Sequence, residues 1–293
     1  MSRTFTPCQN AERSIQKKYR RELWGPFVAA IKRYDLIQSG DKIAVCISGG
    51  KDSMLLAKLM QMLRRISDVP FDLEFLVMDP GYAPANRRRI VDNAALLEIP
   101  VRICDSNIFE ISERMDRRKP CYLCAKMRRG YLYQHARELG CNKIALGHHF
   151  SDVIETTLMG MLYGGQIQVM RPKLHSNNFP GMELIRPLYC VHEDDIIAWR
   201  NYNHLEFLRC ACSFTENCAD GTGDSKRQEV KQLIRSLKAN CPQLEKNLFN
   251  SLHDVNVDTL LGFSYLGRET DFLSMFAAEG EKLAAQRENS TKL

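Results

Sequence analysis

The chain has 293 residues, 44% hydrophobic and 26% charged, which is ordinary globular composition and excludes global disorder. A formal net charge of +6 permits an anionic partner such as RNA without requiring one. No secretory signal is visible from Met1 to Arg20, and no stretch approaches the roughly 18 apolar residues of a membrane span. A cytoplasmic location with no membrane partner is therefore expected.

Residues Ala11 to Ile37 read as a basic amphipathic helix that Gly25-Pro26 kinks or splits. Lys42 to Ile47 is an apolar run of strand length, followed by helical spacing from Asp52 to Ile66. A strand over Leu73 to Met78, a helix over Asn86 to Leu97 and a strand over Val101 to Cys104 come next. After the basic stretch Arg117-Arg118-Lys119 the pattern gives a helix from Tyr122 to Leu139, a strand from Lys143 to Leu146 and a helix from Asp152 to Tyr163. Beyond Gly164 the pattern loosens into a strand over Glu183 to Leu188 and helices over His192 to Tyr202 and Lys226 to Leu237. The tail after Glu279 is polar and expected to fray. Alternating strands and helices predict an α/β fold, a parallel sheet with helices on both faces, and ligands at the strand C-termini. The expected divisions are a helical extension over 1–40, a core over 41–240 and a helical tail over 241–293.

Between the first core strand and its helix lies Ser48-Gly49-Gly50-Lys51-Asp52-Ser53. Paired glycines let backbone approach phosphate oxygens, and the helix start offers unpaired N–H groups to an anion. Ser48 and Ser53 add hydroxyl donors and Lys51 a cation. Asp52 would repel phosphate unless it helps to hold Mg²⁺. The hexapeptide is neither of the common Gly-rich nucleotide loops. It resembles the signature of the PP-loop family, whose members split ATP between its α and β phosphates. That resemblance implies an adenine-nucleotide α-hydrolase-like core.

Among the eleven cysteines, Cys46, Cys104, Cys141 and Cys190 read as ordinary buried thiols. Cys121 and Cys124 are three residues apart where a loop enters a helix, so both sulfurs can serve one metal centre. Cys210 and Cys212 are candidate further ligands, with Cys218 close behind. Zinc on Cys121, Cys124, Cys210 and Cys212 is one reading of these residues. A cluster held by three thiolates, with one iron left open, is the other.

The pair Cys121/Cys124, then Arg128-Arg129-Gly130, Leu146-Gly147-His148-His149, Asp152, Tyr163-Gly164-Gly165, Pro172-Lys173-Leu174 and Arg186-Pro187-Leu188, resembles the tRNA 2-thiocytidine synthetase family from about Lys42 to Leu237. The resemblance implies thiolation of C2 of an anticodon-loop cytidine, with ATP, Mg²⁺ and a [4Fe–4S] cluster as cofactors. It implies cluster ligands at Cys121, Cys124 and Cys210, with Cys212 as the runner-up, and catalytic roles for these thiols, Lys51 and Asp52. Nucleotide contacts are expected from Ser48 to Ser53, Asp79, Gly147, His148 and Asp152. Arg117, Arg118, Lys119, Lys126, Arg128 and Arg129 would hold RNA phosphates, and Tyr122 could stack on an extruded base. The implied partners are tRNA and a sulfur donor such as a cysteine desulfurase, and a homodimer is an open option. Uridine 2-thiolation, or a PP-loop ligase carrying structural zinc, are the alternatives.

Overall fold

The computed structural model describes residues 5–109, 111, 120–208 and 225–290. The chain forms two compact units, Met1–Arg235 and Ser236–Leu293. The first is built on a six-stranded sheet of order β3-β2-β1-β4-β6-β5. Its strands are β1 (Lys42–Ile47), β2 (Asp72–Asp79), β3 (Val101–Asp105), β4 (Lys143–Ala145), β5 (Lys173–His175) and β6 (Glu183–Ile185). All neighbouring strands run parallel except β5, which pairs antiparallel with β6. The sequence pattern gave no sign of β5, a three-residue strand whose half-exposed side chains carry no alternation to detect.

The centre of the sheet follows from the side-chain period of two. Ile43, Val45 and Ile47 of β1 enter one hydrophobic cluster, whereas Ala44 and Cys46 enter another on the opposite face. The first cluster includes Leu55, Leu56 and Leu59 of α3 (Lys51–Ile66) and Ile90 of α4 (Pro84–Leu96). The second is closed by Tyr133 and Ala136 of α5 (Pro120–Glu138). Helices thus cover both faces.

At the N-terminus the expected long helix is three pieces: α1 (Pro7–Gln16), a π-helical turn (Arg20–Trp24) and α2 (Gly25–Arg33). The Thr6 side chain accepts from Gln9 N, and the Gln9 side chain accepts from Thr6 N, so a capping box starts α1 earlier than the apolar spacing suggests. Pro26 sits in the first turn of α2, where a missing N–H costs nothing. This layer is fastened to α3 by Lys58, which is buried and bonds Glu12 at 3.1 Å and Gln61 at 2.6 Å.

Among the described residues this unit also has α6 (Phe150–Gly164), α7 (Glu193–Tyr202) and α8 (Ser225–Asn240), the last running past Arg235. Strands β1 to β3 step outward in one direction, and β4 then returns to the other side of β1. The crevice beyond the carboxyl ends of β1 and β4 is therefore the switch point at which such sheets bind ligands.

Residues 241–293 were expected to form a helical tail; the second unit, Ser236–Leu293, holds strands as well as helices. It contains α9 (Leu244–Ser251), a hairpin of β7 (Gly262–Tyr265) and β8 (Arg268–Asp271), and α10 (Phe272–Ser290). The hairpin turns on Leu266 and Gly267, both at positive φ, a turn the usual Asn-Gly signal would not have announced. The tail after Glu279, expected to fray, is helical to Ser290. Among the described residues no helix is long and apolar enough to cross a membrane.

Candidate functional site

Ser48, Gly49 and Gly50 join the end of β1 to the start of α3. Gly49 has φ of +84°, and a Cβ there would lie 2.6 Å from Ile90 Cγ1. Only glycine fits both conditions. Gly50 is the extended N-cap of α3, and no side chain caps that helix. Its first-turn N–H groups therefore point into the crevice with the positive end of the helix dipole. The loop is braced from within: Ser48 N and Ser48 Oγ each donate to Ser53 Oγ at 3.2 Å, and Ser53 Oγ donates to Gly50 O at 3.0 Å.

A cavity of about 380 Å³ opens in front of this loop. It is lined by Ser48, Asp52 and Ser53, by Gly147, His148 and Asp152 after β4, and by Arg128, Arg129 and Leu132 of α5. The backbone of Gly147 runs against α3, since a Cβ there would lie 3.1 Å from Asp52 C and Ser53 N. The phosphate loop and the segment after β4, far apart in sequence, thus form one wall.

His149 caps α6 and is nearly fully buried. Asp152 N donates to His149 Nδ1 at 3.3 Å, and His149 N donates to Asp152 Oδ2 at 3.0 Å. This reciprocal cap gives His149 a positioning task and leaves His148 to face the cavity. Burial and the nearby Arg186 guanidinium push the His148 imidazole down to about 4, so it is neutral near pH 7. Arg186 Nε donates to its Nδ1 at 3.3 Å. Asp52 Oδ1 is buried and has no hydrogen-bond partner among the described residues, although His149 Nε2 lies 3.7 Å away. An uncompensated carboxylate oxygen in a phosphate-sized cavity suits a hard cation.

Lys51 does not line the cavity. Its ammonium lies 3.1 Å from Asp52 Oδ2 and 2.9 Å from Glu193 Oε1, at the first residue of α7. Burial opposes its charge, but those two carboxylates outweigh burial and raise its pKa. Glu193 also holds Lys231 of α8 at 3.0 Å. Lys231 in turn lies 3.6 Å from the buried Glu155 of α6, and Arg227 lies 3.1 Å from Asp152 Oδ1. A chain of alternating charges therefore runs from the phosphate loop through α7 to α8 and α6. Sequence reading missed Glu155, Glu193, Arg227 and Lys231, because each looks like a solvated residue on a helix face and no local motif marks it.

Asp79, expected beside the nucleotide, lies at the end of β2 outside this cavity. Its Oδ1 accepts from Gly81 N and Tyr82 N at 2.9 and 2.7 Å, and its Oδ2 pairs with Arg87 at 2.8 Å. Oδ1 is thereby committed to the turn after β2 and Oδ2 to Arg87 of α4. Cys121 and Cys124 fall in the first turn of α5, the helix that carries Arg128 and Leu132 into the cavity. Cys210, Cys212, Cys218 and Arg117 to Lys119 lie outside the described residues. The chain that leads to Cys210 is anchored at the phosphate loop, because Leu208 N donates to Gly49 O at 3.2 Å.

The chain matches the PP-loop domain family over residues 21–212. It is 35% identical to the tRNA-cytidine(32) 2-sulfurtransferase of Syntrophotalea carbinolica over 250 residues, covering 80% of this chain and 89% of that protein. A protein of the same name from Verminephrobacter eiseniae is 32% identical over 281 residues, covering 94% of this chain and 86% of its own. Among solved structures, the U34-tRNA thiolase NcsA of Methanococcus maripaludis, determined with its [4Fe–4S] cluster, is similar with a TM-score of 0.61. At 20% identity, covering 78% of this chain and 76% of that one, it supports the fold alone.

Proposed function

The chain belongs to the tRNA-cytidine(32) 2-sulfurtransferase family of PP-loop proteins, and from that membership we propose that it replaces the C2 oxygen of cytidine 32 in tRNA with sulfur at the expense of ATP. In the first stage the C2 oxygen bonds to the α phosphorus of ATP, and the bond from that phosphorus to the bridging oxygen breaks, releasing pyrophosphate. In the second, sulfur bonds to C2, the C2–O bond breaks, and AMP leaves with the former base oxygen. Activation is needed because an oxide is a poor leaving group and AMP a good one.

The residues of the phosphate loop suit the first stage. The open N-terminus of α3 and the hydroxyls of Ser48 and Ser53 would bind phosphate oxygens. Lys51 would exchange its Glu193 oxygen for phosphate oxygens, keeping an anionic partner throughout. Asp52 Oδ1, without a hydrogen-bond partner among the described residues, would help to hold Mg²⁺, which would supply positive charge to the pyrophosphate leaving group. Gly147, neutral His148 and Asp152 continue the same wall beside the loop. Cys46, Met78 and Leu132 add apolar lining, which limits water where the adenylated base would otherwise hydrolyse.

The thiols suit the second stage. A [4Fe–4S] cluster held by three thiolates supplies an iron with an open position for sulfide. Cys121 and Cys124, one helical turn apart at the start of α5, and Cys210, with Cys212 as runner-up, would hold it. The observation that carries this arrangement is convergence on the phosphate loop: α5 lines the same cavity, and Leu208 is bonded to Gly49. Sulfur itself would arrive from a donor such as a cysteine desulfurase.

Nucleoside mass spectrometry of tRNA from cells carrying Cys121→Ala tests the reading. Loss of 2-thiocytidine, with iron and labile sulfide absent from the anaerobically purified variant, is expected. Unchanged 2-thiocytidine, or a wild-type protein holding one zinc and no labile sulfide, would contradict it.

A further inference from the structure

A second cavity, of about 760 Å³, lies along the other flank of α5 and is closed by the connection between β5 and β6. Lys126, Arg129, Gly130 and Tyr133 line it, and their spacing of three, four and seven residues places them on one face of the helix. Arg129 lines both this cavity and the one before the phosphate loop, so the two are neighbours across a single side chain.

The groove is positively charged. Among the described residues no carboxylate lines it and none pairs with Lys126 or Arg129. Glu183, next in sequence to the lining residue Leu184, is engaged by Lys143 and His175 at 3.4 Å each. One wall is aromatic: Tyr133 and Phe179 stack with centroids 5.1 Å apart and planes 13° from parallel. Beside Phe179, the β5–β6 connection adds Asn177 and Asn178 to the lining. The floor is Gly130, where a Cβ would meet nothing within 4 Å. A glycine inside a helix costs about 1 kcal/mol relative to alanine, and here neither packing nor a positive φ calls for one. What its missing side chain leaves is room.

Cationic side chains, an aromatic wall and amide groups around a nucleotide-sized space are what single-stranded RNA requires: phosphates to neutralise, a base to stack and base edges to bond. We propose that this groove binds the nucleotide adjoining the target cytidine in the tRNA loop, with Arg129 on the phosphate between the two nucleotides and the neighbouring base over Gly130. This rests on the thiolation reading above, which supplies the RNA. It adds a device for splaying two successive bases apart: the target goes toward the phosphate loop, its neighbour into the groove, and α5 stands between them.

Fluorescence anisotropy with a labelled anticodon stem–loop tests it on the full-length protein. Gly130→Leu fills the groove with a good helix former and is expected to weaken stem–loop binding by about tenfold or more, leaving ATP affinity unchanged. Lys126→Ala, on an exposed residue, should lower the dependence of log K on log salt by about 0.7 for the lost phosphate contact. It decides the question even if leucine at 130 prevents folding. Wild-type stem–loop affinity in Gly130→Leu with ATP binding intact, or an unchanged salt slope in Lys126→Ala, would overturn the groove assignment and leave the thiolation reading standing. A wild-type protein that binds no stem–loop at all would remove both.

Discussion

Glu193→Gln probes the charge chain that ties the phosphate loop to α7 and α8. The carboxylate sits 2.9 Å from Lys51 and 3.0 Å from Lys231, with a side chain 22% exposed. Burial works against its ionisation, but the two ammonium groups outweigh burial and draw its pKa from 4.5 down to about 2. A tenfold change in proton affinity corresponds to about 1.4 kcal/mol, so the folded state favours the charged form by about 3 kcal/mol. The folded pKa is depressed, so this stability is fully present above the unfolded value of 4.5 and is lost as pH falls toward 2. Glutamine keeps the shape and removes the charge, which leaves two half-buried ammonium groups facing each other. At pH 7 the variant should be less stable by about 3 kcal/mol, lowering the Tm of a unit this size by about 6–12 °C. Thermal denaturation of wild type and variant across pH gives the assay, and the gap between them should narrow as pH drops from 4.5 toward 2. A Tm gap at pH 7 below about 2 °C, or one that does not change with pH, would show that the Glu193 charge does not hold the two ammonium groups.

Glu155 has the opposite signature: burial, only partly offset by Lys231 and Arg227, raises its carboxyl to about 7. Between pH 4.5 and 7 the folded state then holds a proton the unfolded state has lost, so Glu155 costs stability as pH rises, and Glu155→Gln should gain on wild type over that window in denaturant titrations. Gly49→Ala forces a side chain into left-handed backbone and against Ile90, so calorimetry should show ATP affinity reduced at least tenfold. Lys143 is buried between Asp41 at 2.7 Å and Glu183 at 3.4 Å, and Lys143→Met should cost about 3–5 kcal/mol in urea unfolding by stranding two carboxylates.

The core was legible because its signals are local and periodic. The apolar run Lys42 to Ile47, the hexapeptide Ser48 to Ser53 and the helix after it occupy consecutive residues, and each appears where its pattern placed it. Signals that depend on distant partners were not legible. Asp79 reads as a ligand-edge carboxylate until Gly81, Tyr82 and Arg87 are seen to occupy it. Glu193 reads as the acidic first turn of a helix, and nothing in its neighbourhood names Lys51, 142 residues away. His148 and His149 are adjacent and chemically alike, yet one faces the cavity and the other caps a helix, because only His149 has Asp152 three residues ahead. The hairpin at Leu266-Gly267 escaped because its turn uses a leucine at positive φ.

The central claim is that ATP converts the base oxygen of cytidine 32 into a leaving group on AMP. Transfer of ¹⁸O tests it most directly. A tRNA labelled with ¹⁸O at C2 of that cytidine is incubated anaerobically with the protein, ATP and a sulfur source, and nucleosides and nucleotides are read by mass spectrometry. The account predicts one ¹⁸O in AMP for each 2-thiocytidine formed, with unlabelled pyrophosphate. Thiolation with unlabelled AMP, or with ADP and phosphate as the products, would contradict it.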